Sequence, residues 1–279
     1  MLGARIELVN VTKQYETPLG DGVAALRNVS LTIRKGEYIG VLGMNGSGKS
    51  TLARLLNGLI KPTEGKVYVN GLSTDKPANL TEIRRSVGML FQNPDNQLVC
   101  PVVEEEIAFG LENLGLPLPE IRRRIEWALY VCGLEDKRYH APHLLSGGQK
   151  QMVALASVLA MLPEYLVLDE PTSMLDPISR RNLIAQLQVA NKEEGVTVIF
   201  ISHNPEDLIQ ADRLIVLEQG SVYMDGTPRD VFLSEEIRNL ELGRPAVYQL
   251  IGELEASGLT VPSNVKSIDE LVGYICLRL

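Results

Sequence analysis

With 279 residues, 45% of them apolar and 22% charged, the chain can bury a sizeable core as one large domain or as a domain with an extension. A formal net charge of −8 argues against nucleic acid as the main partner, and three dispersed cysteines (Cys100, Cys132, Cys276) exclude a disulfide framework and fit reduced thiols in a cytoplasm. The longest apolar run, residues 152–162, is too short to span a bilayer, and residues 1–7 lack the apolar segment of a signal peptide, so any membrane role is expected to come through a partner.

In chain order, residues 5–11 and 29–33 read as short strands, with a turn at Gly20-Asp21-Gly22. Tyr15 lies between them, either a half-buried strand tyrosine or an aromatic plate for a base. Residues 38–42 form an apolar strand that runs into Gly43-Met44-Asn45-Gly46-Ser47-Gly48-Lys49-Ser50-Thr51, and Leu52, Leu55, Leu56 and Leu59 continue at helical spacing. This is G-x-x-x-x-G-K-[ST] in its strand–loop–helix setting. Gly46 and Gly48 let successive backbone N–H groups face phosphate oxygens, and the helix N-terminus adds partial positive charge. Lys49 supplies a full charge for the β- and γ-phosphates, the Ser50 hydroxyl can ligand Mg²⁺, and Thr51 serves the helix start or an α-phosphate. The expected ligand is a nucleoside triphosphate.

Residues 65–71 form a strand bounded by glycines, and 86–91 form another with Gln92 at its end. From 103 to about 160 the periodicity is helical, interrupted at Pro117 and Pro119, the latter suited to a first helical turn. Strand 166–170, a helix near 178–194 closed at Gly195, and strand 196–201 follow. A hairpin through Gln219-Gly220 joins 214–217 to 221–224. Alternating strands and helices predict an α/β fold with a mainly parallel core sheet.

Asp169 and Glu170 close an apolar strand 120 residues after Lys49. Ligands bind beyond the carboxyl ends of such strands, where Asp169 can hold Mg²⁺ and Glu170 can deprotonate a water. Taken alone the pair also suits a helix start. Leu145-Ser146-Gly147-Gly148-Gln149 opens a second helix with small residues, either as a second anion site or as a serine N-cap with a glycine-rich entry.

Together these motifs resemble those of an ATP-binding-cassette (ABC) ATPase over residues 5–235. They are the phosphate loop 43–50, Gln92 as the Q-loop glutamine, 145–149 as the signature, Asp169-Glu170, the D-loop Ser173-Met174-Leu175-Asp176, and His203 as the switch histidine, 33 residues past Glu170. The resemblance implies a P-loop NTPase fold with an N-terminal antiparallel β-subdomain and a helical subdomain inserted at about 93–160. It also implies two cassettes that sandwich ATP head to tail. Ser146, Gly147, Gly148 and Gln149 would then meet nucleotide on the partner, Gln92 would sense Mg²⁺ and the γ-phosphate, Asp176 would link the two sites, His203 would contact the γ-phosphate, and Tyr15 would stack on adenine.

Residues 91–97 (Phe-Gln-Asn-Pro-Asp-Asn-Gln) and 171–177 (Pro-Thr-Ser-Met-Leu-Asp-Pro) resemble energy-coupling-factor ATPases, particularly the first of the two in heterodimeric systems. The implied function is ATP hydrolysis that drives uptake of a vitamin or metal ion. The implied partners are a second ATPase, a transmembrane coupling protein and a substrate-binding membrane protein, at the cytoplasmic face of the membrane. The alternatives are the ATPase of another ABC transporter or a soluble cassette acting on nucleic acid or ribosomes; a P-loop kinase would lack 145–149. Met152 and Asn204 depart from the usual arginine and aspartate, the first implying a missing contact to the partner or to nucleotide.

Residues 236–279 form an extension with one stripe at Val247, Leu250, Ile251 and Leu254. A second, behind a capping box at Ser267–Glu270, comprises Ile268, Leu271, Val272 and Ile275. The extension either packs on its own domain or, as in energy-coupling-factor ATPases, helps two cassettes stay together.

Overall fold

A computed structural model describes residues 5–16 and 22–277; the expected turn residues Gly20 and Asp21 lie outside them. The chain begins with β1 (Arg5–Glu16) and β2 (Gly22–Arg34), then β3 (Tyr38–Leu42) and α1 (Lys49–Leu56). It continues through β4 (Glu64–Val69), β5 (Leu72–Ser73), α2 (Leu80–Ser86) and β6 (Val87–Leu90). The helices α3 (Val103–Asn113), α4 (Leu118–Cys132) and α5 (Gly147–Ala160) follow. Next come β7 (Tyr165–Asp169), α6 (Pro177–Lys192), β8 (Thr197–Ser202), β9 (Arg213–Glu218), β10 (Ser221–Gly226), α7 (Pro228–Leu233), α8 (Ala246–Ala256) and α9 (Ile268–Cys276).

Strands β3, β7 and β8 are buried at every position, as parallel strands covered on both faces must be. They lie in a six-stranded sheet of order β10-β9-β3-β8-β7-β6, in which only β10 runs antiparallel. Leu42 pairs with Ser202, Ile201 with Asp169, and Leu168 with Leu90, so β3, β8, β7 and β6 end along one edge. A separate antiparallel sheet, β2-β1-β4-β5, packs over one face with α1, burying Ile6, Val29, Val67, Leu52 and Leu55 against Ile39, Val167 and Ile199. On the other face α3, α4, α5 and α6 bury Ile107, Leu129, Leu155 and Leu183 against Leu42, Leu168 and Phe200.

Several elements differ from the expectation. β1 and β2 are much longer than 5–11 and 29–33, because register shifts between Leu8 and Lys13 break the two-residue alternation that marks a strand. The short helix α2 is absent from the sequence reading; only Ile83 of its seven residues is buried, so it has no apolar stripe. Gln219 (φ 48°) and Gly220 (φ 84°) give the primed turn that joins β9 to β10, as expected.

The extension packs into the same core as the helical layer. Val247, Tyr248, Ile251, Val261, Val265 and Leu271 are buried there, with the Phe232 and Tyr248 ring centroids 5.3 Å apart. Arg229 binds Glu255 and the Val261 carbonyl, Glu206 accepts the Ala246 N–H at 2.9 Å, and Lys266 Nζ donates to the Ala211 carbonyl at 3.3 Å. The capping box at Ser267 and Glu270 forms. Both stripes need correction. In α8 Tyr248 faces inward and Leu250 outward, and in α9 Leu271 is buried while Ile268 and Val272 are about half exposed, at 47% and 51%.

Candidate functional site

β3 ends at Leu42 and the chain must reverse into α1 within six residues. Gly48, the N-cap, sits at φ 103° with no side-chain cap, and a Cβ there would stand 2.3 Å from the Ala25 carbonyl oxygen. A Cβ on Gly43 would stand 2.4 Å from Ser47 Oγ and 2.6 Å from the Leu217 carbonyl oxygen. Only glycine fits either position, so the glycines of the motif are required by packing as well as by phosphate approach. Lys49 is buried along its stem, and its Nζ donates to the carbonyls of Gly43 (2.8 Å) and Met44 (3.0 Å) and lies 3.4 Å from Glu170 Oε1. Gly46, Gly48, Lys49, Ser50, Thr51, Gln92 and Glu170, with Asn45 and Ala25, line an open cleft of about 410 Å³.

The catalytic candidates reach this cleft from neighbouring strand ends. At the end of β7, Asp169 Oδ1 accepts the Ser50 hydroxyl at 3.0 Å. Burial pushes the Asp169 carboxyl above its ordinary range, helped by the adjacent Glu170 and opposed by the Ser50 hydrogen bond and by Arg54 and Lys49. Glu170 has φ 49°, a left-handed conformation rare for a residue with a side chain, and its N–H donates to the Ile201 carbonyl at 3.0 Å. That turn aims its carboxylate back over the strand edge. Gln92 Nε2, beyond β6, donates to Glu170 Oε2 at 3.4 Å, and His203 Nδ1, beyond β8, lies 3.0 Å from the same oxygen. Glu170 is therefore the meeting point of Lys49, Gln92 and His203. Tyr15 is partly exposed, with its hydroxyl 3.4 Å from Thr51 Oγ1 and Lys13 Nζ 5.2 Å from its ring centroid.

The signature residues do not line this cleft. Ser146 is the N-cap of α5 in a complete capping box: its Oγ accepts the Gln149 N–H at 3.3 Å and Gln149 Oε1 accepts the Ser146 N–H at 3.0 Å. Ser146 and Gly147 are exposed. Gly148 is buried, and a Cβ there would meet Ser179 Oγ at 2.7 Å, so α5 and α6 require its small size. Asp176 also lies away from the cleft, capping α6 through the N–H groups of Ile178 and Ser179. Met152 is buried against α4 and α6 beside a cavity of about 400 Å³. Position 152 thus points into its own chain. Asn204 caps the turn after His203, accepting the Glu206 N–H at 3.0 Å, a task aspartate would do equally well.

The ABC transporter family pattern matches residues 26–173. The chain is 47% identical over 272 residues to the energy-coupling factor transporter ATP-binding protein EcfA1 of Caldanaerobacter subterraneus, covering 97% of this chain and 98% of that one. It is 50% identical over 271 residues to EcfA1 of Symbiobacterium thermophilum, covering 95% and 94%. This chain belongs to the ABC transporter ATPases, in the energy-coupling-factor branch. Among solved structures, cbiO1 from Clostridium perfringens, part of the ABC transporter complex cbiONQ, aligns at a TM-score of 0.75 with 35% identity over 89% of this chain and 98% of that one. A dimeric ATP-binding cassette in a post-hydrolysis state with ADP and Pi aligns at 0.74 with 34% identity over 80% and 98%. As a member of this family the chain is an ATPase.

Two residues beside the cleft carry almost no signal in the sequence. Ala25 on β2 backs the phosphate loop, and its carbonyl fixes Gly48, but a lone alanine in a strand carries no signal. Asp207 is 1% exposed and accepts hydrogen bonds from Thr172 (2.7 Å), Ser202 (2.9 Å) and Arg180 (2.5 Å). The only available hint was an acidic residue four positions after His203, in a stretch that reads as a polar turn.

Proposed function

We propose that this ATPase is the motor of an energy-coupling-factor importer, working as a pair of cassettes on the cytoplasmic face of a membrane. Hydrolysis would drive uptake of a vitamin or metal ion through a transmembrane coupling protein and a substrate-binding membrane protein. No helix among the described residues is long and apolar enough to cross a membrane, so the force must be passed to other chains. The observation that carries the catalytic part is the convergence of Lys49, Gln92 and His203 on Glu170 at the ends of adjacent parallel strands.

The chain's own groups divide the work. Phosphate oxygens would replace the Gly43 and Met44 carbonyls as acceptors for Lys49 Nζ, while the uncapped N-terminus of α1 offers its N–H groups to the same oxygens. Tyr15, with Lys13 on its ring, would stack on the adenine. Glu170 would take the proton from the attacking water, and His203 would hold the γ-phosphate on the far side. The Ser50 hydroxyl and the Asp169 carboxylate, 3.0 Å apart, are hard oxygen donors suited to Mg²⁺, with Gln92 beside them. Bound there, Mg²⁺ supplies charge neutralisation on the phosphates.

A second cassette would complete the site by presenting Ser146, Gly147, Gly148 and Gln149 to the bound nucleotide, with Asp176 between the two sites. The extension, residues 236–279, would serve both purposes the sequence suggested. Its inner faces pack on the core, and the exposed Ile268 and Val272 are left to meet the second cassette.

The deciding experiment reconstitutes the chain with co-purified membrane partners in vesicles. Glu170→Gln is expected to leave assembly and ATP affinity intact while uptake and phosphate release fall together. Undiminished turnover would remove Glu170 as the base. Recovery of the chain with ribosomes or nucleic acid instead of membrane proteins would overturn the transport reading.

A further inference from the structure

Behind the reaction centre lies a buried charge that the hydrolysis scheme does not use. Asp207 sits in the turn Pro205–Leu208, and its carboxylate is 1% exposed. Oδ2 accepts from Thr172 Oγ1 at 2.7 Å and from Ser202 Oγ at 2.9 Å, and Oδ1 accepts from Arg180 Nε at 2.5 Å. Each donor belongs to a segment that carries a reacting or linking group. Ser202 is the last residue of β8, immediately before His203, and its Oγ also accepts the Asn204 N–H at 3.0 Å. Thr172 lies two residues after Glu170, within the turn that holds Glu170 at φ 49°. Arg180 is on α6, and its N–H donates to the carbonyl of Asp176, the α6 N-cap, at 2.9 Å.

We propose that Asp207 is a positioning residue for ATP hydrolysis, clamping the Glu170 turn, the His203 strand end and the Asp176 helix in one fixed arrangement. This rests on the roles given above to Glu170 and His203. The physical argument has two parts. Burying an ion pair returns little net stability, because desolvation offsets most of the attraction, so stability alone is a weak reason for this group. A strained backbone such as that of Glu170 persists only where its surroundings over-determine it. One carboxylate with three donors from three segments provides that constraint. It holds His203 Nδ1 3.0 Å from Glu170 Oε2 without touching substrate. A crevice of about 170 Å³ between these segments leaves room for them to part when the clamp is cut.

The test uses the full-length chain assembled with its transport partners. In Asp207→Ala, kcat should fall by about tenfold to a hundredfold, as a misplacement of about 1 Å costs, while KM for ATP stays within about twofold. The chain has three histidines, so the His203 imidazole proton resonance is readily assigned. It should move in Asp207→Ala while those of His140 and His143 stay. In Asp207→Asn, Oδ1 can face Arg180 and the amide can donate to the two hydroxyls once they rotate, so kcat should recover to within about threefold of the parent. Where Asp207→Ala does not fold, Ser202→Ala cuts the tie nearest His203 and should show the same kcat loss at constant KM with the same resonance shift. A folded variant with parental kcat and an unmoved His203 signal overturns the proposal, as does Asp207→Asn failing as badly as alanine. Glu170→Gln separates the two readings. Full turnover in that variant defeats the site assignment itself, whereas a dead Glu170→Gln beside a fully active Ser202→Ala defeats only the clamp.

Discussion

Two helices in this chain start from small residues, and their N-termini are finished in opposite ways. α1 begins at Gly48 with no side-chain cap, and the lysine that follows is folded back onto the carbonyls of Gly43 and Met44. α5 begins at Ser146 with a capping box in which Ser146 and Gln149 satisfy each other's N–H groups. The first leaves its backbone donors to a ligand and walls them with Ala25 and Glu170. The second has satisfied two of its own donors and stands exposed. Similar composition thus yields an open cradle in one place and a self-capped, exposed helix start in the other, the end that we propose meets the nucleotide of a second cassette.

The comparison can be broken at either end. The largest effect belongs to Glu170→Gln: turnover should fall by about a hundredfold or more with ATP affinity unchanged, measured as phosphate release and by calorimetric titration. Next is Lys49→Ala, which removes the charged donor of the cradle. ATP affinity of the isolated chain should drop by about thirtyfold or more, about 2 kcal/mol, and parental affinity would mean the cradle does not depend on Lys49.

Ser146→Asp tests the other end. Aspartate caps a helix as well as serine, so the melting temperature should hold. The added carboxylate facing a partner's phosphate should cut turnover of the paired cassettes by about tenfold without weakening ATP binding to the single chain. Normal turnover in that variant would reduce Ser146 to a cap.

The smallest effect is read at the cysteines. Burial pushes the Cys132 thiol up to about 12, and Cys132 lines the cavity behind the signature helix. Its thiolate fraction at pH 8 is on the order of 10⁻⁴ and rises only as pH climbs toward that value, so labelling should be confined to exposed Cys276. Burial and the neighbouring Glu106 also raise Cys100. Labelling of Cys132 that appears on adding ATP would show that the layer behind the signature helix loosens as the half-site engages.

Much of this was legible in the sequence, for local reasons. Strand 38–42 and the helix after Gly48 are marked by an apolar run and by leucines at helical spacing, and the Ser267–Glu270 capping box is a four-residue pattern. What failed did so for equally physical reasons. The bulges in β1 hid its length, α2 had too little apolar surface to show a period, and helical spacing alone could not decide whether Tyr248 or Leu250 faces inward.

By itself the sequence determined the ligand chemistry. The phosphate loop is a short-range motif whose chemistry is read from residue type and spacing, whereas the Asp169-Glu170 pair and residues 145–149 took their roles from the family resemblance. The tertiary structure alone decided how they meet. Gln92, Glu170 and His203 are separated by 78 and 33 residues, and they converge because β6, β7 and β8 lie side by side in parallel and end on one edge. The left-handed turn at Glu170 and the Asp207 clamp behind it depend on that same strand order. Such contacts are set by which strands pair, and no local pattern along the chain encodes them.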